Sequence, residues 1–311
     1  MAWVVKIKIV FIATILLVGK LAACASGYTY EKRETDGHVI HIVSINPKDY
    51  AIEIIKANNG AIGRESVPSM AARTHAEIAI NGGFFEIGAS GDGMPSGTLV
   101  INGRQYGLKD QIQPLVLIDS GVMSIVLSKP QNYMKSSIFM ISGIPLLIID
   151  GEIFQDLATK DGEFYTKPHA RTAVGSKPDG TIILVVAEHN YSKDLTAITM
   201  GEVQSLIKEK GDKFAKEYHR NNPGDITLNE LKMILKQEYT SQSGTQGLTI
   251  LELAGLMKEL GCQDALNLDG GGSSTLWIKG KVINQTIGDK DEGNGLQMIR
   301  PVSDAIIFKK R

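Results

Sequence analysis

Cysteine is nearly missing from this chain: 311 residues contain two, Cys24 and Cys262. An internal disulfide framework is thereby excluded, and no His/Cys cluster shows the spacing of a zinc site. Charge of one sign is missing too. Lys and Arg number 33 against 34 Asp and Glu, and no basic run exceeds the terminal "KKR". Such a chain has no field to gather nucleic acid, which is not expected as a partner. The apolar run Ile9–Val18 falls short of the roughly 20 residues of a membrane-crossing helix. The triple glycine of "NLDGGGSST", residues 267–275, has no following Lys, so it is not a phosphate-binding P-loop. Its serines do not stand between glycines as a nucleophile elbow requires. "GDGMPSG" has one aspartate and no glutamate at a calcium-loop distance. No metal and no cofactor is expected.

What is present is an ordinary globular composition, 43% apolar and 22% charged, long enough for one large domain. The first residues read separately. Lys6 and Lys8 precede the run Ile9–Val18, and small residues follow to "LAAC". This is the layout of a secretory signal over residues 1–23, and its end resembles a lipobox that would lipidate Cys24. Lys20 departs from that pattern, so a plain signal peptide or an uncleaved anchor stays open. Each reading places residues 24–311 outside the cytoplasm, as a membrane-anchored bacterial lipoprotein in the periplasm or at the cell surface where Cys24 carries lipid. Cys262, at the end of an amphipathic segment, reads as a small buried hydrophobe rather than a nucleophile.

Short β-branched runs with tight turns dominate the rest. "HVIHIVSINP", "YAIEIIKA", "AEIAINGGFF", "SGTLVINGRQ", "PLVLIDSGVMSIVL", "IPLLIIDGEIF", "RTAVGSKPDGTIILVVAE", "DALNLD", "TLWIKGKVIN" and "VSDAIIFKK" read as strands or hairpins. Helical periodicity falls between residues 199 and 261, in three segments that each begin Thr-x-x-Glu, the capping box. In the last, Leu253, Leu256, Met257 and Leu260 share a face. The polar stretch before it reads as a helical insertion, about 200–246, that is either a lid or a solvated decoration. The expected class is mixed α/β (α+β): a twisted, mixed and largely antiparallel sheet with packed helices.

The stretch "NLDGGGSST" cannot be a loose linker, because an apolar strand runs into it and another runs out. A flexible linker between two strands of one hairpin or sheet would waste ordering entropy, about 1–2 kcal/mol for each backbone residue fixed. Glycines there permit positive φ and close approach, and consecutive amides make a nest for an anion, with hydroxyls from Ser273 and Ser274 beside it.

"NGGFF", "PHARTAVG", "LTILELAGLMKELGCQDALNLDGGGSSTLWIKGKVIN" and "RPVSDAI" occur in an order that resembles the phosphodiester glycosidase family, over roughly residues 75–308 without the insertion. That family includes the enzyme that uncovers mannose 6-phosphate by removing a covering N-acetylglucosamine, and bacterial members associated with exopolysaccharide. The resemblance points to Asn81, Gly82 and Gly83, to Arg171 and Thr172, and to Asp269, Gly270, Gly271, Gly272, Ser273 and Ser274. Two departures border these residues: Glu188 is followed by His189 where the family has a glycine, and the helical stretch is inserted.

The implied activity is hydrolysis of the glycosidic bond of a glycosyl-1-phosphodiester, from an N-acetylglucosamine-1-phosphodiester-like molecule or a cell-surface phosphopolysaccharide. The leaving phosphomonoester is already a good one, with a second ionisation near pH 6. Arg171 would then grip two phosphate oxygens in a planar fork and the glycine amides would cradle the same group. Asp269 would be base or nucleophile, with Glu188 as the second carboxylate. Asn81 would hold a sugar hydroxyl or the phosphate. Plainer roles stand beside these: Arg171 paired with an acid, Asn81 capping a turn, Glu188 solvated at a strand end, Asp269 bonding the glycine amides. His169, two residues before Arg171, reads equally as a phosphate contact or a surface imidazole. Trp277, Phe84 and Phe85 are sugar-stacking or core residues. A rival reading is a non-catalytic lipoprotein that binds phosphorylated or acidic polysaccharide during exopolysaccharide or cell-wall assembly. A serine hydrolase using Ser273 is a third, with no evident His–Asp partnership.

Overall fold

Alternation decides which way each strand faces, and here most strands have apolar residues on both faces. Ile182–Ala187 is buried at every position, as expected of strands covered on both sides. The computed structural model describes residues 27–35, 37–88, 91–107, 113–189, 200–227, 229–231, 234, 245–290 and 297–311. The signal segment 1–23 and Cys24 lie outside the described residues.

Every strand pairing among the described residues is antiparallel, and the strands divide over three main sheets rather than one. The largest has seven strands, in the order Tyr28–Thr35, His38–Ile45, Ile182–Ala187, Arg171–Ser176, Asp264–Asn267, Leu146–Ile149, Glu152–Ile153. A five-stranded sheet runs Lys281–Val282, Leu276–Ile278, Ile78–Asn81, Asp304–Lys310, Tyr50–Lys56. A second five-stranded sheet is built from the region 99–142.

One core lies between these sheets. Val43, Val174, Leu184 and Leu266 of the seven-stranded sheet meet Ile54, Ile80, Leu276, Ile306 and Phe308 of the first five-stranded sheet, with Leu99, Val116 and Ile141 of the other. The outer face of the seven-stranded sheet, with Ile183, Val185, Ala173 and Ala265, is covered by helix Ile250–Glu259 through Leu253, Leu256 and Met257. The outer face of the five-stranded sheet, with Ile55, Ala79 and Ile307, is covered by helix Val67–Arg73 through Val67, Met70 and Ala71. The layering is helix, sheet, sheet, helix, which buries all four apolar faces.

Helix Ile250–Glu259 begins with the capping box read from the sequence: Thr249 Oγ1 accepts from the Glu252 amide, and the Glu252 carboxylate accepts from the Thr249 amide. Thr227 and Glu230 make the same exchange. Within the insertion, helix Met200–Glu217 is followed by a short 3-10 turn Pro223–Asp225. Cys262 is buried and its thiol is pushed up to about 12 by that burial, so it is a core residue and no nucleophile. Trp277 and Phe85 pack into the cluster beneath helix Val67–Arg73. These two serve the core.

Leu253 is 0% exposed whereas Leu251, on the opposite face, is 49% exposed. Leu253→Ala is expected to cost about 3 kcal/mol in denaturant unfolding, and Leu251→Ala no more than about 0.5. Gly255 sits inside the same helix with open space where a Cβ would go. Gly255→Ala should therefore raise stability, by about 0.5–1 kcal/mol.

Candidate active site

The triple-glycine stretch is a crossover. Strand Asp264–Asn267 belongs to the seven-stranded sheet and strand Leu276–Ile278 to the five-stranded one, so residues 268–275 carry the chain from one layer to the next. Such a path brings backbone against backbone, which explains the glycines. A Cβ on Gly270 would lie 2.6 Å from the Ala170 carbonyl oxygen, and one on Gly272 would lie 2.4 Å from the Arg300 guanidinium carbon. Gly271 has φ +58, a left-handed value. Asn284 closes the far end, accepting from the Leu276 amide and donating to the Ser274 carbonyl.

The expected anion nest is not made by these amides. The Gly270 amide donates to Asp269 Oδ1 at 2.9 Å, and the Gly271 amide donates to the Ala170 carbonyl at 2.8 Å. Gly272 is buried under Arg300. The glycines shape the turn and hold Asp269; the amides of Gly270 and Gly271 are spent on the protein itself.

Asn81, Thr172, Ser273 and Ser274 are likewise not exposed to a ligand. All four are buried. Asn81 Nδ2 donates to the Asp269 carbonyl (2.8 Å), while its Oδ1 accepts from Thr172 Oγ1 (2.9 Å) and from the Thr275 amide (3.1 Å). Thr172 Oγ1 also meets Ser274 Oγ at 3.2 Å. This network ties one strand of each sheet to the crossover. Ser273 is 0% exposed with its hydroxyl beside the Asp269 carboxylate, and it cannot meet a substrate as a nucleophile.

Gly82 and Gly83 complete the clasp. The Gly82 carbonyl accepts from the Asp269 amide (3.1 Å), and the Gly83 amide donates to Asp304 Oδ1 (2.8 Å). Asp304 is a residue that sequence reasoning passed over, although it lies in the quoted "RPVSDAI". It is 1% exposed, and Lys56, also buried, lies near it with Nζ donating to the carbonyls of Gly63, Gly93 and Ser303. Burial pushes the Asp304 carboxyl up to about 6, against the pull of the Ser303 hydroxyl, the Gly83 amide and Lys56; Asp269 adds to the rise. Burial also lowers Lys56, against the attraction of Asp304.

Four of the expected site residues, Arg171, Asp269, Gly270 and Gly271, do open into a cavity. It has a volume of about 320 Å³ and is lined by Phe84, Phe164, His169, Ala170, Arg171, Asp269, Gly270 and Gly271. Phe84 and Phe164 meet edge to face, 6.3 Å between ring centres, and form its apolar wall. Burial pushes Asp269 up to about 6, opposed by the Ser273 hydroxyl, the Gly270 amide and the charge of Arg300. Arg300 is the second residue that the sequence reading missed.

Arg171 is 2% exposed and pairs with no acid among the described residues. Its Nε donates to the Leu248 carbonyl (2.9 Å) and Nη2 to those of Phe164 (2.5 Å) and Lys167 (3.3 Å), with the guanidinium 4.9 Å from the centre of the Phe164 ring. The planar fork is therefore occupied by backbone, and Nη1 is the nitrogen left for a ligand. Desolvation alone lowers its pKa to about 10. His169 donates from Nε2 to the Glu163 carbonyl at 3.3 Å. Burial lowers it first, then the Arg171 charge.

Glu188 is not part of this cavity. At 7% exposure its Oε1 pairs with His41 Nε2 (2.8 Å) and accepts from the Gln285 amide (2.5 Å), and Tyr30 in turn meets His41 Nδ1 (2.9 Å). Neither the catalytic role nor a solvated strand end describes it. The acid that neighbours Asp269 is Asp304. Among the described residues, no group of three His, Cys, Asp or Glu side chains is placed to hold a metal ion.

The clasp makes a sharp prediction. A Cβ on Gly82 would lie 2.1 Å from Asp304 Oδ1 and 2.6 Å from Ile141, whereas one on Gly271 meets nothing within 4 Å. In denaturant unfolding, Gly82→Ala should cost about 3 kcal/mol from overpacking and a displaced buried carboxyl. Gly271→Ala should lose only the left-handed backbone penalty of about 1 kcal/mol.

Comparison with known proteins gives a consistent result. The catalytic domain of zebrafish N-acetylglucosamine-1-phosphodiester alpha-N-acetylglucosaminidase, auto-inhibited by its pro-peptide, has a similar fold. Its TM-score is 0.60 at 16% identity, over 95% of this chain and 87% of that one. A hypothetical protein from Synechocystis matches with a TM-score of 0.54 at 16% identity, over 92% of this chain and 62% of that one. In sequence, an uncharacterized protein of Rickettsia conorii is 24% identical over 291 residues, covering 60% of this chain and 99% of the relative. The family model for phosphodiester glycosidases matches residues 74–215 and 230–309, a span that contains every residue lining the cavity. By that match, the chain belongs to the phosphodiester glycosidase family.

Proposed function

We propose that this protein hydrolyses the glycosidic bond of glycosyl-1-phosphodiesters, with the phosphate against Arg171 and His169 and the sugar along Phe84 and Phe164. One observation carries this reading: a desolvated guanidinium with no carboxylate partner among the described residues opens into the same cavity as an acid poised near pH 6. A buried cation costs several kcal/mol unless an anion or well-placed dipoles offset it. Three carbonyls hold Arg171, and a phosphate at Nη1 supplies the missing negative charge. The activity for which the zebrafish relative is named, on an N-acetylglucosamine-1-phosphodiester, supports the same substrate class.

The chemistry needs one carboxylate at the sugar, not two. When the C1–O bond breaks, its electron pair goes to the phosphate oxygen, and the phosphomonoester leaves without a general acid. Asp269 is the carboxylate that lines the cavity, and its raised pKa makes it a stronger base than an ordinary aspartate. In this reading Asp269 takes a proton from water, the water oxygen bonds C1, and the product sugar emerges with inverted configuration. Asp304, buried behind the Gly82–Gly83 turn, positions Asp269 through the backbone and touches no substrate. The leader read from residues 1–24 supports an extracytoplasmic, lipid-anchored site of action on phosphodiester-linked glycans of the cell surface.

The test is hydrolysis of an N-acetylglucosamine-1-phosphodiester in ¹⁸O-labelled water. Label should enter the sugar hydroxyl at C1 and not the phosphate. Asp269→Asn should lower kcat by about 10² to 10⁴, the usual contribution of a general base, with phosphate binding retained. Because Asp269 must be ionised to accept the proton, kcat/KM should rise with pH through about 6 and lose that limb in Asp269→Asn. Binding without turnover over a panel of such diesters would instead favour a polysaccharide-binding lipoprotein, and label in the phosphate would refute C1–O cleavage.

A further inference from the structure

The helical insertion returns to the body through residues 246–249, and Leu248 of that short segment bonds His169 and Arg171 at the edge of the cavity. The Gln246 amide donates to the Gly37 carbonyl at 2.8 Å. His38 Nδ1 donates to the carbonyls of Gln246 (2.8 Å) and Gly247 (3.1 Å). Leu248 exchanges both backbone bonds with His169, at 2.9 and 3.1 Å, and its carbonyl accepts from Arg171 Nε. Gly247 is packed so closely that a Cβ would lie 2.0 Å from the His169 carbonyl oxygen. The remaining contact is unusual. The Gly247 amide donates to Nδ1 of His189 at 3.0 Å.

An amide N–H can only donate, so Nδ1 of His189 must present a lone pair and the neutral ring carries its proton on Nε2. Protonating Nδ1 would set two N–H groups against each other at that contact. The bond therefore exists for the neutral imidazole and is lost for the imidazolium.

We propose that His189 is a positioning residue: as a neutral ring it latches residues 246–249 onto the body, that segment holds Arg171 in the cavity through the Leu248 carbonyl, and protonation releases both. The link to anion binding rests on the reading of Arg171 as the phosphate ligand. His189 stands where the family pattern has glycine, and it engages the inserted stretch, so the two departures noted in the sequence are one device.

The surroundings favour the neutral ring. Burial lowers the His189 pKa first, and the charges of His169 and Arg171 lower it further. The His169 ring is 6.4 Å away, centre to centre. Glu188, the next residue, turns its carboxylate to His41 and Gln285. Glu163 and Lys167, which face His169, pair with each other. His38 binds the same segment from the other side. A base whose folded pKa is lowered contributes its stability fully above the ordinary imidazole value, about 6.5, and loses it as pH falls through the folded value. The latch is thus closed at neutral pH and opens in acid.

Hydrogen exchange of the full chain tests this at pH 8 and pH 5, corrected for the intrinsic exchange rate, with strand Asp304–Lys310 as the internal control. In the wild type, protection of the Gly247 and Leu248 amides should fall about five- to tenfold at pH 5 while the control strand holds. His189→Asn offers Oδ1 as an acceptor that takes no proton, and should stay protected at both pH values. His189→Leu should be unprotected at both, with affinity for inorganic phosphate at pH 8 weakened by a similar factor. Protection independent of pH in the wild type, or loss of it at pH 5 in His189→Asn, would overturn the latch. Unchanged phosphate affinity in an unprotected His189→Leu would overturn its link to Arg171. Failure of sugar release alone, with exchange and phosphate binding as expected, would count against the hydrolase reading and leave the latch standing.

Discussion

A guanidinium removed from water, with no acid to meet it among the described residues, is the constraint on which this structure turns. Arg171 begins a central strand of the seven-stranded sheet and is held by carbonyls from the turn Glu163–Thr166 and its C-terminal neighbour, and from Leu248. Dipoles orient the charge but do not neutralise it. The cavity beside it, with its aromatic wall and Asp269, is where neutralisation can occur.

The rest of the architecture serves to place Asp269 against that charge. Two sheets are needed because the residues come from both: Arg171 and Thr172 from strands of one layer, Asn81 and Asp304 from strands of the other, with Asp269 on the crossover between them. The chain crosses between the layers at residues 268–275, and the clasp of Asn81, Thr172, Ser274 and the Gly82 carbonyl fixes the crossing on either side of Asp269. Polar groups buried this deeply need partners, and those of Asn81, Thr172 and Ser274 find them in one another and in the crossover backbone. That is why so many site residues named by pattern turn out to be struts.

The sequence was legible where local chemistry decides the outcome. Thr249 and Glu252 cap their helix, Leu253, Leu256 and Met257 face the sheet, and the apolar runs form antiparallel strands. "LDGGGSS" was legible as a built turn rather than a linker, and Arg171 and Asp269 share the cavity as expected. What failed depended on long-range packing. Glycine spacing cannot say whether an amide faces a ligand or the Ala170 carbonyl. Glu188 at the end of an apolar strand looks like a site acid until His41 and the Gln285 amide, distant in sequence, are seen against it. Asp304 opens an apolar strand as Glu188 closes one, and only the Gly82–Gly83 turn lying on it marks its role. The insertion, open between lid and decoration, is bound to the body at 246–249 by contacts that no periodicity encodes.

The central claim is that the cavity beside Arg171 holds a phosphate, and calorimetric titration with inorganic phosphate at pH 8 tests it most directly. Saturable binding by the wild type, weakened about tenfold or more in a folded Arg171→Gln variant, is the predicted result, in line with the value of a charge-assisted hydrogen bond. Equal affinity in the two proteins, or none in the wild type, would contradict it.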